Sequence, residues 1–326
     1  MTPDARGAGA TASGRGVLLA VPNFSEGRDD ATIDAIGHAL AGGGATGAGA
    51  VHLLATHRDP DHNRCVFTLA GEPGTLSAAL LAGARVAVER IDLRTHEGVH
   101  PHVGALDVAP IVHLDPKQRG AACAEALVTA DLLARHLRLP ILIYGALARG
   151  RTRAELRRGG PAELARRLAS HDLTPDLGPR RAHPSAGATL VAARPPLVAF
   201  NVTLRPPATL EQAREIAARI REGGDEGLPG LRAIGLRLER QQEVQISMNV
   251  ERPDLTPLRD VVQAVARHAD PATAELVGLA PEHAFDRFPK DLPMPGFDPD
   301  THLIERALAR LDSRDRFERA LDEARD

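Results

Sequence analysis

Short apolar runs and stretches of helical periodicity alternate along this chain in one order, met twice: strand, helix, strand, strand, helix, strand. Such a rhythm forces a layered fold, because every apolar face must be covered by another element. The first pass predicts a strand at 16–21, a helix over about 29–40 closed by Gly42-Gly43-Gly44, and a strand at 50–55. A polar loop at 56–64, a strand at 65–70, a helix over about 75–91 and a strand at 107–114 follow. A helix at 116–137, a strand at 140–144, an Arg-rich helical segment at 151–168 and a strand at 188–193 extend it. Arg194-Pro195-Pro196 marks a boundary, since two prolines cannot continue a central strand.

The second pass places strands at 197–204, 231–238, 244–250 and 274–279, with helices at 210–221 and 258–268. The expected fold is therefore α/β (α+β), in two subdomains. Each is a mainly antiparallel or mixed sheet of β-α-β-β-α-β order with helices on one face. Residues 1–16, rich in Gly, Ala, Ser and Thr, are expected to be a disordered tail. Residues 17–194 and 195–310 are the expected subdomains, and 311–326 a charged C-terminal helix.

Composition narrows the chemistry. With 326 residues and 43% hydrophobic content a large core is available, but aromatics make up only 2% and Trp is absent. A flat ligand would be gripped by aliphatic side chains and main chain. A net charge of −3 argues against a nucleic-acid partner bound through a basic surface. No run approaches the roughly 20 apolar residues that span a bilayer, so no membrane partner is expected. Cys65 and Cys123 cannot form a disulfide framework and are expected as free, buried thiols in a reducing, cytoplasmic setting.

Four of the 14 histidines, His96, His100, His102 and His113, crowd into the segment 95–114. Gly98 and Gly104 let it turn sharply, and Pro101 pushes His100 toward an extended backbone. An imidazole aimed by such a loop can exchange a proton near neutral pH. The spacing also allows metal binding, with Asp59, Asp61 and His62 as extra ligands, but it matches no specific metal signature, and no metal is expected. Asn23, Ser25, Glu26 and Gly27 form a strand-to-helix turn, either a plain cap or a carboxylate-binding loop. His183, Gly187 and Thr189 sit in a second His-Pro loop feeding a strand. The nine arginines between 149 and 181 give a local positive excess that could draw in an anion.

Taken together these segments resemble the glutamate formiminotransferase family, single-module bacterial type. The resemblance rests on Val21-Pro-Asn-Phe-Ser-Glu-Gly27, Asp61-His-Asn-Arg64, His100-Pro with Gly104-Ala-Leu-Asp107, Leu142-Ile-Tyr-Gly145 and His183-Pro-Ser-Ala-Gly-Ala-Thr189. Ala199-Phe-Asn-Val202, Val244-Gln-Ile-Ser-Met-Asn249 and Leu276-Val-Gly-Leu279 continue it, from about residue 17 to 308. It implies transfer of a formimino group from N-formimino-L-glutamate to N5 of tetrahydrofolate, the co-substrate, in histidine breakdown. It implies a folate tunnel between two subdomains, a homodimer, and small-molecule partners only. The family's catalytic histidine falls on His100, and Asp107 is the nearest carboxylate in sequence. Candidate substrate- and folate-binding residues are Asn23, Ser25, Glu26, Asp61, Asn63, Arg64, Gly104, Arg157, His183, Gly187, Thr189 and Arg194.

The sequence departs from the family pattern at two points. His102 stands where relatives carry an arginine, and Ala55 where an acidic residue is common. These departures keep open a formylglutamate-type donor or a folate-binding paralogue with altered or lost activity; the histidines with the Asp59/Asp61 loop leave a metal-dependent hydrolase as a less favoured alternative.

Overall fold

The computed structural model describes residues 16–42 and 51–323. The expectations for the N-terminal tail, for Gly43 and Gly44, and for a strand start at Ala50 lie outside the described residues. The first sheet is built from β1 (Leu18–Ala20), β2 (Asn23–Phe24), β3 (His52–Asp59), β4 (Arg64–Gly71), β5 (Leu106–His113), β6 (Ile141–Ile143) and β7 (Thr189–Arg194). Between them run α1 (Asp30–Gly42), α2 (Leu76–Arg90), α3 (Arg119–Leu137), α4 (Arg153–Arg157) and α5 (Gly160–Ala169). β1 and β2 are one strand broken at Pro22, and both pair antiparallel with β4 on one side and β5 on the other. β3 pairs with β4, while β7 joins β5 and β6 in parallel, so the sheet is mixed.

The second sheet holds β8 (Val198–Leu204), β9 (Leu231–Leu238), β10 (Glu243–Val250) and β11 (Pro271–Val277), with α6 (Leu210–Ile220) and α7 (Leu258–Ala266). Its order is β11-β8-β10-β9 and every pair is antiparallel, the split βαβ arrangement. Helical spacing explains the packing. α6 buries Ala213, Ile216, Ala217 and Ile220, and α7 buries Leu258, Val261, Val262 and Val265, each an i, i+3, i+4, i+7 stripe. The chain ends in α8 (Pro299–His302) and α9 (Ile304–Glu323), which runs through residue 311 without a break.

Strand alternation decides where a cleft can form. On β4, Cys65, Phe67 and Leu69 pack under α1–α3, while Val66 and Thr68 face the other way. On β8, Phe200, Val202 and Leu204 pack with α6 and α7, while Ala199 and Asn201 face the other way. The two sheets thus present to each other the faces opposite α1–α3 and opposite α6 and α7. Leu19, Ala70 and Val112 close one end of this seam against Leu279, Ile304 and Ala307.

Three expectations need correction. Residues 56–59 are not loop but the end of β3, and the turn is only 60–63. The Arg-rich segment is two short helices, α4 and α5, broken at the left-handed Gly159. They lie against the opposite sheet face from α1–α3, where Leu156, Leu164 and Leu168 meet Val108, Leu142 and Leu190. Cys123 is a free thiol but only half-buried, whereas Cys65 is fully buried and its thiol is pushed up to about 12 by burial.

A Cβ on Gly104 would lie 2.0 Å from the Ala188 carbonyl oxygen, and one on Gly187, at φ 68°, 2.1 Å from that of Val103. These glycines let two loops touch backbone to backbone. Gly120 in α3 has nothing within 4 Å. Gly104→Ala should therefore lower unfolding free energy by roughly 2–4 kcal/mol, whereas Gly120→Ala should be neutral or stabilising by up to about 1 kcal/mol. Denaturant melts of the two variants check this, and equal effects would contradict it.

Candidate active site

Three loops hold the segment that carries His100. Val99 N–H donates to the Asp61 carbonyl at 3.2 Å, and Asn63 Nδ2 to that of Glu97 at 2.9 Å. Ser25 Oγ donates to the Gly104 carbonyl at 2.8 Å, and Ala105 N–H to that of Ala186 at 2.9 Å. Thr189 Oγ1 donates to the Leu106 carbonyl at 2.8 Å. His183 Nδ1 accepts from Ala186 N–H at 3.1 Å, and its backbone pairs with Gly187, which bridges to Gly104. Ser25, Asn63, Gly104, His183, Gly187 and Thr189 are therefore placed as the frame of the loop.

Two other predicted residues have structural partners. Glu26 accepts from Arg28 N–H and Asp29 N–H at the start of α1. Asp61 accepts from Arg240 N–H at 2.8 Å and from Gln241 Nε2 at 3.3 Å, joining the first subdomain to the β9–β10 turn.

The remaining predicted residues converge on the cleft between the sheets. Asn23, Arg64, His100 and Arg157 line a space of about 570 Å³, together with Asn201, Ser247 and Asn249 of the second sheet. A second space of about 600 Å³, lined by Arg194, adjoins it through shared walls at Asn23, Val66, Arg153, Ala199, Asn249 and Val277.

Asp107 does not face this space. It is fully buried, and its Oδ2 accepts from Arg64 Nη1 at 2.7 Å and from Arg157 Nη2. Its Oδ1 accepts from Val103 N–H at 2.9 Å. Burial alone would raise its pKa, but Arg157 and Arg64 outweigh that and hold it below the usual carboxylate range. Arg64 also reaches Asn23 Oδ1 with Nε and Nη2, at 3.1 and 2.7 Å. Arg157 is pulled down to about 10 by burial and stays charged at neutral pH, with its Nε buried and unpartnered.

His100 stands beside these cations. Burial, then Arg64 and Arg157, push its imidazole well below its ordinary pKa, so it is neutral at pH 7. Its Nδ1 is buried without a partner. A neutral imidazole with a free ring nitrogen at a cleft wall can accept a proton. His102, the residue at the departure from the family pattern, is not among the cleft-lining residues: its ring packs edge-on to His96 at 4.3 Å.

Sequence reasoning named Asp59 and His62 only as possible metal ligands and missed several other cleft residues. His62 lines the cleft and its Nδ1 lies 2.7 Å from Asp59 Oδ2. His57 lines it too, and its Nε2 lies 3.5 Å from Glu275 of β11, which also accepts from Asn201. Ala55 packs instead with the Leu19 cluster. Polar residues at every second position of β8 and β10, Asn201 and Thr203, Gln245, Ser247 and Asn249, were the available signal for a polar cleft on a buried sheet face.

Two family models match the chain, the formiminotransferase domain's N-terminal subdomain over residues 17–194 and the formiminotransferase domain over 199–287. The chain belongs to the formiminotransferase family. It is 35% identical over 276 residues to a glutamate formimidoyltransferase of Streptococcus pyogenes serotype M1, covering 82% of this chain and 90% of that one. A glutamate formimidoyltransferase of Thermoplasma acidophilum is 32% identical over 301 residues, covering 89% and 96%. The formimidoyltransferase-cyclodeaminase of Rattus norvegicus is 36% identical over 278 residues, and there the chain covers 80% of itself but about half, 49%, of the relative. In this formiminotransferase-family chain, no group of three or more His, Cys, Asp or Glu among the described residues is arranged to hold a metal ion. Among those residues no helix is long and apolar enough to cross a membrane.

The depressed histidines fix a stability trend. His96 is brought down to about 4 from 6.5 by burial and by His102, and His57 and His100 are lowered too. These groups bind fewer protons folded than unfolded, so stability rises with pH through this window and is lost as pH falls from about 6.5 toward 4. Denaturation midpoints should drop steadily from pH 7 to pH 4, and His96→Asn should flatten the slope. A flat profile in the parent protein would contradict the assignment.

Proposed function

We propose that the protein transfers the formimino group of N-formimino-L-glutamate to N5 of tetrahydrofolate, with His100 as the acid–base residue. The observation that carries this is a neutral His100 with an unpartnered ring nitrogen at the wall of a cleft between the subdomains. The folate nitrogen attacks the amidine carbon, and His100 accepts the N5 proton as the tetrahedral intermediate forms. A proton must then reach the departing glutamate nitrogen. The formimino nitrogen is neutral in that intermediate and regains its positive charge when the C=N bond re-forms.

The residues present suit both substrates. Arg157 and Arg194 each keep a buried Nε without a partner, and Arg153 lines both spaces, so guanidinium forks are available for glutamate and folate carboxylates. Asn23, Asn201, Ser247 and Asn249 offer the mixed donors and acceptors that a pterin ring needs. Glu275 does not line either space, but it pairs with His57 and Asn201, which do, and so sets a negative charge one side chain behind a cationic donor. That carboxylate favours formimino over the neutral formyl donor. Asp107 acts by holding Arg64 and Arg157 in place, not by touching the reacting atoms.

Mixing the protein with formiminoglutamate and tetrahydrofolate should give 5-formiminotetrahydrofolate, read as methenyl-folate absorbance after acid cyclisation. Formylglutamate should react at least roughly tenfold more slowly, the cost of about 1.4 kcal/mol of lost charge pairing. His100→Ala should lower kcat by about two to four orders of magnitude. No turnover with either donor would overturn the proposal, and an unimpaired His100→Ala would remove His100 from the mechanism.

A further inference from the structure

The turn 60–63 carries a second imidazole that the reading above leaves idle. His62 is 5% exposed, yet it lines the cleft. Its ring centroid lies 5.8 Å from that of His100. Asp59 grips it three ways: Oδ1 accepts from the backbone N–H of Asp61 at 2.7 Å and of His62 at 2.9 Å, and Oδ2 faces His62 Nδ1 at 2.7 Å. A turn cap alone would use only the two backbone contacts. The third fixes the ring so that Nδ1 carries a hydrogen and Nε2 is left for something else. Nε2 is buried and has no partner. A nine-tenths-buried nitrogen without a hydrogen bond is costly unless a ligand supplies one.

We infer that His62, oriented by Asp59, is a second catalytic residue, the acid that protonates the departing glutamate nitrogen, while His100 is the base that takes the proton from N5. The inference rests on the formimino-transfer reading. In the step, the N5–carbon bond has formed and His100 has taken the N5 proton. The carbon–nitrogen bond to glutamate then breaks, its electron pair stays on the glutamate nitrogen, and that nitrogen takes the proton from His62 Nε2. The lone pair of the formimino nitrogen re-forms the C=N bond, so the positive charge returns to the transferred group. Exchange with solvent removes the proton on His100 and returns one to His62. Separate residues suit the geometry, because the attacking and leaving nitrogens lie on different sides of one carbon and the two rings approach the cleft from different loops. Asp59 is held below the usual carboxylate range by its contacts with His62, against the effect of burial, so a charged carboxylate faces Nδ1 and orients the ring.

The test varies the leaving group. An aryl formimidate transfers the same formimino group but leaves as a phenolate, which needs no proton. His62→Asn should lower kcat about 100-fold with formiminoglutamate, the scale of losing one general acid, and stay within about threefold of the parent enzyme with the aryl donor. Asp59→Asn should show the same pattern more weakly. His100→Ala should be impaired with both donors. If His62→Asn loses equally with both donors, or with neither, the inference fails. Melting curves of the variants separate misfolding from lost chemistry, since a misfolded variant would lose activity with both donors and melt early, and Asp59→Asn then decides. A parent enzyme silent with both donors would instead remove the transferase reading itself.

Discussion

The buried carboxylate of Asp107 is the contact on which the cleft depends. It takes two guanidinium groups and one backbone N–H, and has no exposure to water. Each partner serves a different element: Arg64 starts β4, Arg157 ends α4, and Val103 ends the loop of His100. One carboxylate therefore fixes two cations and a loop relative to one another. A buried pair of this kind is weak evidence for stability in itself, but removing one member leaves uncompensated charge and typically costs about 3–5 kcal/mol. Its functional consequence is electrostatic. Burial, reinforced by the cations locked beside it, keeps the His100 imidazole neutral, and a neutral imidazole is what a proton acceptor requires.

The two sheets supply complementary halves. The first subdomain brings the histidines and arginines, on loops pinned by close backbone contacts at Gly104 and Gly187. The second brings neutral amides and hydroxyls, set at every second position along β8 and β10. Asp61 joins the halves by accepting from the β9–β10 turn, and Arg153 by pairing with Glu251 at 3.4 Å. A substrate between the sheets would meet guanidinium and imidazole groups on one side and amides and hydroxyls on the other.

Much of this was legible in the sequence, and the failures have physical reasons. Both split βαβ units could be read because their helices bury regular apolar stripes and their strands are apolar and short. The end of β3 could not, because Thr56-His57-Arg58-Asp59 is polar on both faces, one of which fronts the cleft. The break between α4 and α5 hides in an Arg-rich run whose buried leucines keep helical spacing across it. The resemblance picked out His100, and the structure puts it in the cleft. It also selected Ser25, Asn63, Gly104, His183 and Thr189, whose side chains or backbones brace the loop. The metal reading brought Asp59 and His62 together with His100, but only as possible ligands; no local pattern set His62 beside His100 or Glu275 beside His57, because those contacts join segments 38 to more than 200 residues apart.

The central claim is that substrates bind between the two sheets with His100 at the reacting carbon. It is tested most directly by titrating tetrahydrofolate into protein carrying ¹⁵N-labelled histidine and following the imidazole resonances, assigned by single substitutions. The account predicts that the ring nitrogens of His100 and His62 shift on saturation, while those of His113 and His183, outside the cleft lining, do not. Saturable binding that leaves His100 and His62 unmoved would place the ligand elsewhere and contradict it.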